Sequence, residues 1–168
     1  MRKTLVFAVS LAVAACLAPV APADAQGTAL TGNMAGFSYL LGAGWSCTTN
    51  VPPLGDQPAR TDQGTATFVV APGNVVHNHV TTATYSGDFY FGYNDRMSGY
   101  WQASADNMGV HAFLTSTDGK TFTGTSSIGR LQMQDTVTYA KVTPNKVTVH
   151  EVLTGSEPTA TFDSVCTR

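Results

Sequence analysis

The chain has 168 residues, with 9 Lys plus Arg against 11 Asp plus Glu, a formal net charge of −2 and only 12% charged residues. That length suits one domain with a core of its own, and the sparse, scattered charge excludes a nucleic-acid footprint and a polybasic membrane patch. Phe, Tyr, Trp and Val recur throughout while Thr, Ser and Gly supply the polar surface, a β-rich composition of exported type and not a disordered one.

The N-terminus carries a targeting pattern. Arg2 and Lys3 form a positive start, Leu5 to Leu17 an apolar stretch, and Ala23-Asp24-Ala25 a small-x-small site that predicts cleavage before Gln26, making residues 1–25 a signal peptide. The apolar stretch is short for a bilayer span, so no transmembrane segment is expected. A rival reading takes Val13-Ala14-Ala15-Cys16 as a bacterial lipobox with a lipid anchor at Cys16. Simple export to the periplasm or the medium is favoured, because the later site is well formed and Leu17 to Ala23 is unusually apolar for a lipoprotein tether.

Gln26 to Ala35 are small and polar with no docking periodicity, and are read as a disordered lead-in to a folded domain over residues 36–168. Gly36 to Leu41 is too short for an independent helix, so Phe37, Leu40 and Leu41 are expected to plug one end of the body. Gly42 and Gly44 permit a sharp turn into a first strand, Trp45 to Thr49, with Trp45 pointing inward. Asn50 to Asp62, carrying Pro52, Pro53 and Pro58, reads as a long irregular loop able to act as a lid.

From there short strands and turn signals alternate: Gly64 to Ala71, Val75 to Ala83, Asp88 to Tyr93, Tyr100 to Ala105, Met108 to Ser116, Thr121 to Ser127, Leu131 to Val142, Lys146 to Leu153 and Thr159 to Thr167. Pro72-Gly73 and Asp118-Gly119 are the strongest turns between them. Connections this short make consecutive strands antiparallel neighbours. The fold class is therefore all-β, an up-and-down antiparallel barrel of about ten strands with a short N-terminal helical turn, since closure removes the edges an open meander exposes.

Removal of the signal leaves two cysteines, Cys47 on the first strand and Cys166 on the last. A closed barrel makes those strands neighbours, and an oxidising compartment favours a disulfide between them; two unpaired buried thiols is the alternative.

The opening Leu40-Leu41-Gly42 then Trp45-Ser46-Cys47, the meander and the exported context resemble the lipocalin-like (calycin) barrels over Phe37 to Thr167. The likeness is to small exported bacterial domains of that type and, more distantly, to the nitrobindins. Lipocalins place a glycine two residues before the first-strand tryptophan, whereas here Gly44 abuts Trp45 and Gly42 stands one position too far. The resemblance implies a lumen for one small ligand. It implies haem only through a last-strand histidine of the nitrobindin kind, and residues 159–168 contain none.

His77 and His79, two apart on a strand, share a face and are the candidate metal ligands; a third would have to come from Asp88 or His111, and two outward histidines is the plainer reading. Phe89, Phe91 and Tyr93 share one face and serve as either core or pocket wall. Trp45, Ala112 and Asp135 complete the candidate ligand-binding set. Asp135 interrupts the apolar face of its strand and, if internal, needs a partner such as Arg96 or Arg130, or a ligand. Gly92, Ala103, Ala112 and Gly124 are expected to widen the lumen. No nucleophile, phosphate-loop or metalloprotease motif is present. The expectation is a non-catalytic exported barrel holding a small apolar ligand, with no cofactor specified; the alternatives are a haem or metal protein using His77, His79, His111 or His150, and a filled structural barrel.

Overall fold

The computed structural model describes residues 29–155 and 159–168. The signal segment, its cleavage site, Cys16 and the centre of the Gly155 to Pro158 turn lie outside the described residues. All ten expected strands are present: β1 (Gly42–Val51), β2 (Arg60–Ala71), β3 (Val75–Thr82), β4 (Ser86–Asn94), β5 (Gly99–Asp106), β6 (Val110–Ser116), β7 (Thr121–Ile128), β8 (Leu131–Thr143), β9 (Lys146–Thr154) and β10 (Ala160–Thr167). Each pairs antiparallel with its chain neighbours, and β1 pairs with β10, so the sheet closes into a barrel with up-and-down connectivity. No helix among the described residues is long and apolar enough to cross a membrane.

The two-residue period sorts the side chains into an inner and an outer set. Trp45 and Cys47 of β1, Ala66 and Phe68 of β2, Phe91 of β4, Leu114 of β6, Phe122 of β7 and Val137 of β8 are buried in one core cluster. The up-and-down path puts the turns after β2, β4, β6 and β8 at one end of the barrel, together with the start of β1 and the end of β10. The connections after β1, β3, β5, β7 and β9 gather at the other end.

The first end is plugged. A 3-10 turn (Gly32–Phe37) brings Met34 and Phe37 into the core, and Leu30 and Leu40 are buried beside them. The disordered lead-in expected up to Ala35 is thus corrected for Leu30 and Met34, the latter only 1% exposed. The physical reason is tertiary: the barrel end presents apolar side chains that a passing segment can cover, and that burial replaces a helical period the segment does not possess. Thr31 is fastened there by a reciprocal pair of bonds, its N–H donating to Asn74 Oδ1 and its carbonyl accepting from Asn74 Nδ2, both at 3.0 Å.

Trp45 joins plug to wall. It is 0% exposed, its Nε1 donates to the Leu40 carbonyl at 2.8 Å, and its ring meets Phe68 edge-on. The Arg168 guanidinium lies 4.5 Å from the centre of that ring and donates to the carbonyls of Leu41 at 2.6 Å and Tyr39 at 3.2 Å. One cation therefore ties the last residue to both the first strand and the plug. Gly42 and Gly44 hold φ of 126° and 84°, the left-handed region in which a side chain would be strained, as the chain bends into β1.

At the opposite end the expected long loop is much shorter. β1 and β2 run on past their predicted limits, pairing Asn50 with Thr61 and Val51 with Arg60, and a bridge between Leu54 and Gln57, with both backbone bonds at 3.0 Å, tightens what remains. Ladder hydrogen bonds outweigh the weak strand propensity of Asn50 and Asp62, while Pro52, Pro53 and Pro58 stay outside the strands.

Cys47 stands directly across from Cys166, and the two form a disulfide, S–S 2.03 Å, closing a separation of 119 residues. Beside it on the same two strands the Thr49 and Ser164 hydroxyls bond at 2.8 Å. Non-reducing digestion and mass spectrometry of the folded protein should yield the Cys47–Cys166 cross-linked peptide. Replacing both cysteines by alanine should lower the unfolding free energy by about 4–5 kcal/mol, the chain-entropy value for a loop of this size, read from denaturant curves; an unchanged midpoint would show that closure depends on the ladder alone.

Candidate ligand site in the barrel lumen

The lumen above the plug holds a cavity of about 270 Å³, just below the roughly 300–1,000 Å³ usual for small-molecule sites. Its inner end is formed by Leu40, Trp45, Phe68 and Tyr139, its waist by Val80, Phe89, Ser104, Val149 and Ser164, and its outer part by Val51, Leu54, Tyr85, Met108 and Phe162. The outer residues belong to the unplugged end, so the mouth lies beside the β1–β2 connection. Tyr85, from the β3–β4 connection, leans over Gly87, where a Cβ would meet its ring and hydroxyl.

Most of the lining surface is apolar, and several polar residues of its inner part are paired with one another. Tyr139 donates its hydroxyl to Gln102 Oε1 at 3.1 Å, both buried. Ser126 donates to Asp135 Oδ2. Asp135 Oδ1 and Asn78 Oδ1 are buried without a hydrogen-bond partner. Burial raises the Asp135 pKa, against the opposing effect of the Ser126 bond. Glu151, on the same inner face as Val147, Val149 and Leu153, is pushed up to about 8 by burial and then by the Asp135 and Asp106 charges. Glu151 is half-buried, with its side chain lining the lumen.

Of the expected ligand-binding residues, the structure brings Trp45, Phe89 and Asp135 to the cavity. Phe91 is buried against Phe37, Phe122 and Tyr139, and Tyr93 packs edge-on to Tyr100 with ring centres 5.0 Å apart. Strand rise explains the split: residues two apart are roughly 6–7 Å apart along the strand, so only the one nearest the mouth meets the lumen. Ala112 faces inward opposite Ser104 and Ser126 but is not among the lining residues. The widening ascribed to glycines takes a different form. Gly92 sits under the Trp101 ring, and Gly124 lies so close to Phe113 and Leu114 that a Cβ would clash; both serve close packing.

Neither Arg96 nor Arg130 reaches Asp135; its hydrogen-bonding neighbour is Ser126. The histidines sit on the outer wall. His77 Nε2–H and His79 Nδ1–H both donate to Asp88 Oδ1, at 2.7 and 2.9 Å, and these bonds hold the Asp88 pKa below the usual carboxylate range. His77 also stacks on Tyr90. Asp88 does join the pair, as the sequence allowed, but as a hydrogen-bond acceptor; among the described residues no cluster of three His, Cys, Asp or Glu is arranged to hold a metal. His150 donates to Asp163 at 2.6 Å on the exposed surface.

Glu151, Asn78, Gln102, Ser126 and Tyr139 were not foreseen as site residues. The alternation Val147, Val149, Glu151, Leu153 carries the signal for Glu151, since it puts a carboxyl on the apolar face of β9.

A group whose folded pKa is raised holds a proton that the unfolded chain has released. For Glu151 that window runs from about 4.5 to about 8, so stability should fall as pH rises through it, by about 2 kcal/mol where lumen water screens the carboxylate. Asp135 acts in the same direction, whereas Asp88, lowered by its two histidines, withdraws stability on acidification. Thermal midpoints should therefore peak in mild acid and decline towards pH 9, with Glu151→Gln flattening the decline. A wild-type midpoint constant from pH 5 to 9 would contradict the assignment of Glu151.

No protein-family model matches the chain and no curated protein matches it, so the lipocalin-like resemblance is supported by barrel architecture alone.

Proposed function

We propose that this protein is an exported, non-catalytic carrier or sensor that holds one small, largely apolar molecule in the lumen of a lipocalin-like barrel. The observation that carries the reading is the cavity of about 270 Å³ between Trp45 and the unplugged end, in a barrel whose other end is sealed by Leu30, Met34, Phe37 and Leu40. A barrel of about eight strands is just filled by its own side chains, and diameter grows with strand number, so ten strands leave space inside. The lining suits a ligand site: largely apolar walls together with polar groups able to fix orientation. The disulfide fits an oxidising compartment outside the cytoplasm.

An environment-sensitive apolar dye should bind the oxidised protein, and Ser104→Phe, which fills the waist of the cavity, should weaken binding by about tenfold or more while the far-UV spectrum stays that of the barrel. Phe113→Ala, on the outer wall where Phe113 is exposed, should leave dye affinity unchanged. Equal binding by wild type and Ser104→Phe would remove the lumen as the site.

A further inference from the structure

We propose that the lumen takes a protonated amine with a small apolar body, its N–H groups seated on Asp135 with Glu151 as second acceptor and its apolar part held against Phe89, Val149 and Phe162. This rests on the lumen reading above and adds the charge and hydrogen-bonding chemistry of the ligand.

The first observation is an unmet acceptor. Asp135 is 3% exposed and lines the cavity, yet only Oδ2 is bonded, by Ser126, while Oδ1 is buried with no partner. Asn78, 6% exposed and also lining the cavity, leaves its Oδ1 in the same condition. Unsatisfied buried polar groups of this kind are few in folded proteins, because each lacks the hydrogen bond that water would have given it. The carboxylate form of Asp135 and the amide oxygen of Asn78 only accept, so a molecule that satisfies both must donate.

The second observation is the balance of charge. Asp135 and Glu151 are diagonal neighbours on the inner face, since Asp135 pairs with Leu153 and Val137 with Glu151, which puts them about 7–8 Å apart. Asp106 adds a third carboxylate near the mouth, but its Oδ1 already accepts from the Met108 and Val110 N–H groups, both at 2.9 Å. Among the described lining residues the one cation is Arg60, and its Nε is engaged by Asp62 at 3.0 Å on the rim. Among the described residues no cation therefore meets the inner carboxyl pair. The Asp135 charge opposes ionisation of Glu151, and a cation seated between the two relieves that repulsion. An ammonium group supplies that cation and up to three donors, and charge-assisted hydrogen bonds are the strong ones. A carboxylate ligand would meet repulsion, and a hydrocarbon would leave Asp135 and Asn78 unsatisfied. Neutral alcohols satisfy the donor requirement without the charge.

Isothermal titration of the oxidised protein at pH 7.5 with 2-phenylethylamine, 2-phenylethanol and 3-phenylpropanoate separates these cases. The amine should bind at least about tenfold more tightly than the alcohol, and the carboxylate least of all. Asp135→Asn and Glu151→Gln, made separately so that one remains if the other fails to fold, should each weaken the amine by about tenfold and leave the alcohol within about twofold. An alcohol that equals the amine, or an amine affinity unchanged in a folded variant of either site, overturns the charge assignment while the lumen remains a binding site. If none of the three binds and the apolar dye binds no better, both proposals fall.

Discussion

The pairing of β1 with β10 gives this sheet an inside. Ten antiparallel strands in simple succession would otherwise present two unpaired edges, each a row of unsatisfied N–H and C=O groups. Setting Ser46 to Asn50 against Asp163 to Thr167 satisfies both rows at once, and the Cys47–Cys166 bond makes that seam covalent. The inner faces of all the strands then meet round one axis, and with ten of them the side chains do not reach across everywhere. Closure, core and cavity are three consequences of one pairing.

The barrel is asymmetric because its two ends are finished differently. Leu30, Met34, Phe37 and Leu40 cover one opening with aliphatic and aromatic bulk, and Trp45 carries that packing into the wall through its bond to Leu40. Arg168 binds the far end of the chain to the same place, by its stacking on Trp45 and its bonds to Leu41 and Tyr39. Arg168 and the segment from Leu30 to Leu41 thus meet at the same end of the barrel. At the opposite end the described hydrogen bonds join turns, within one connection as in the Leu54–Gln57 bridge and the Asp106 contacts to Met108 and Val110, or between neighbouring ones as between Asn107 and both Thr84 and Ser86.

The polar groups separate into outer and inner classes. His77, His79 and Asp88, or His150 and Asp163, satisfy one another in view of solvent, where exposed ion pairs contribute little and hydration is available. Inside, Tyr139 bonds to Gln102 and Ser126 to Asp135, while Asp135 Oδ1 and Asn78 Oδ1 are left without a partner. Retaining a carboxyl at that depth opposes stability, as the raised pKa values of Asp135 and Glu151 express. Its retention is intelligible when the lumen has an occupant that bonds to it.

Strand number, strand limits to within a few residues, antiparallel order and the disulfide were legible in the sequence, because each depends on local alternation, on turn residues such as Asp118-Gly119, or on topology that short connections impose. That Trp45 shares a face with Cys47, and Phe89 with Phe91 and Tyr93, followed from the same two-residue period, whereas that the face carrying Asp135 is the inner one came from the closed barrel. What the sequence could not determine was depth along the barrel axis. Phe89, Phe91 and Tyr93 share a face, yet only Phe89 borders the cavity, since the level of the plug depends on how Met34 and Phe37 pack against strands far away in the chain. Docking of Leu30 and Met34 was hidden for that reason too: their segment has no period of its own and is ordered by the apolar opening it covers. Period fixes which way a side chain points; the tertiary packing of the plug decides whether it meets core or cavity, because that depends on contacts remote in sequence.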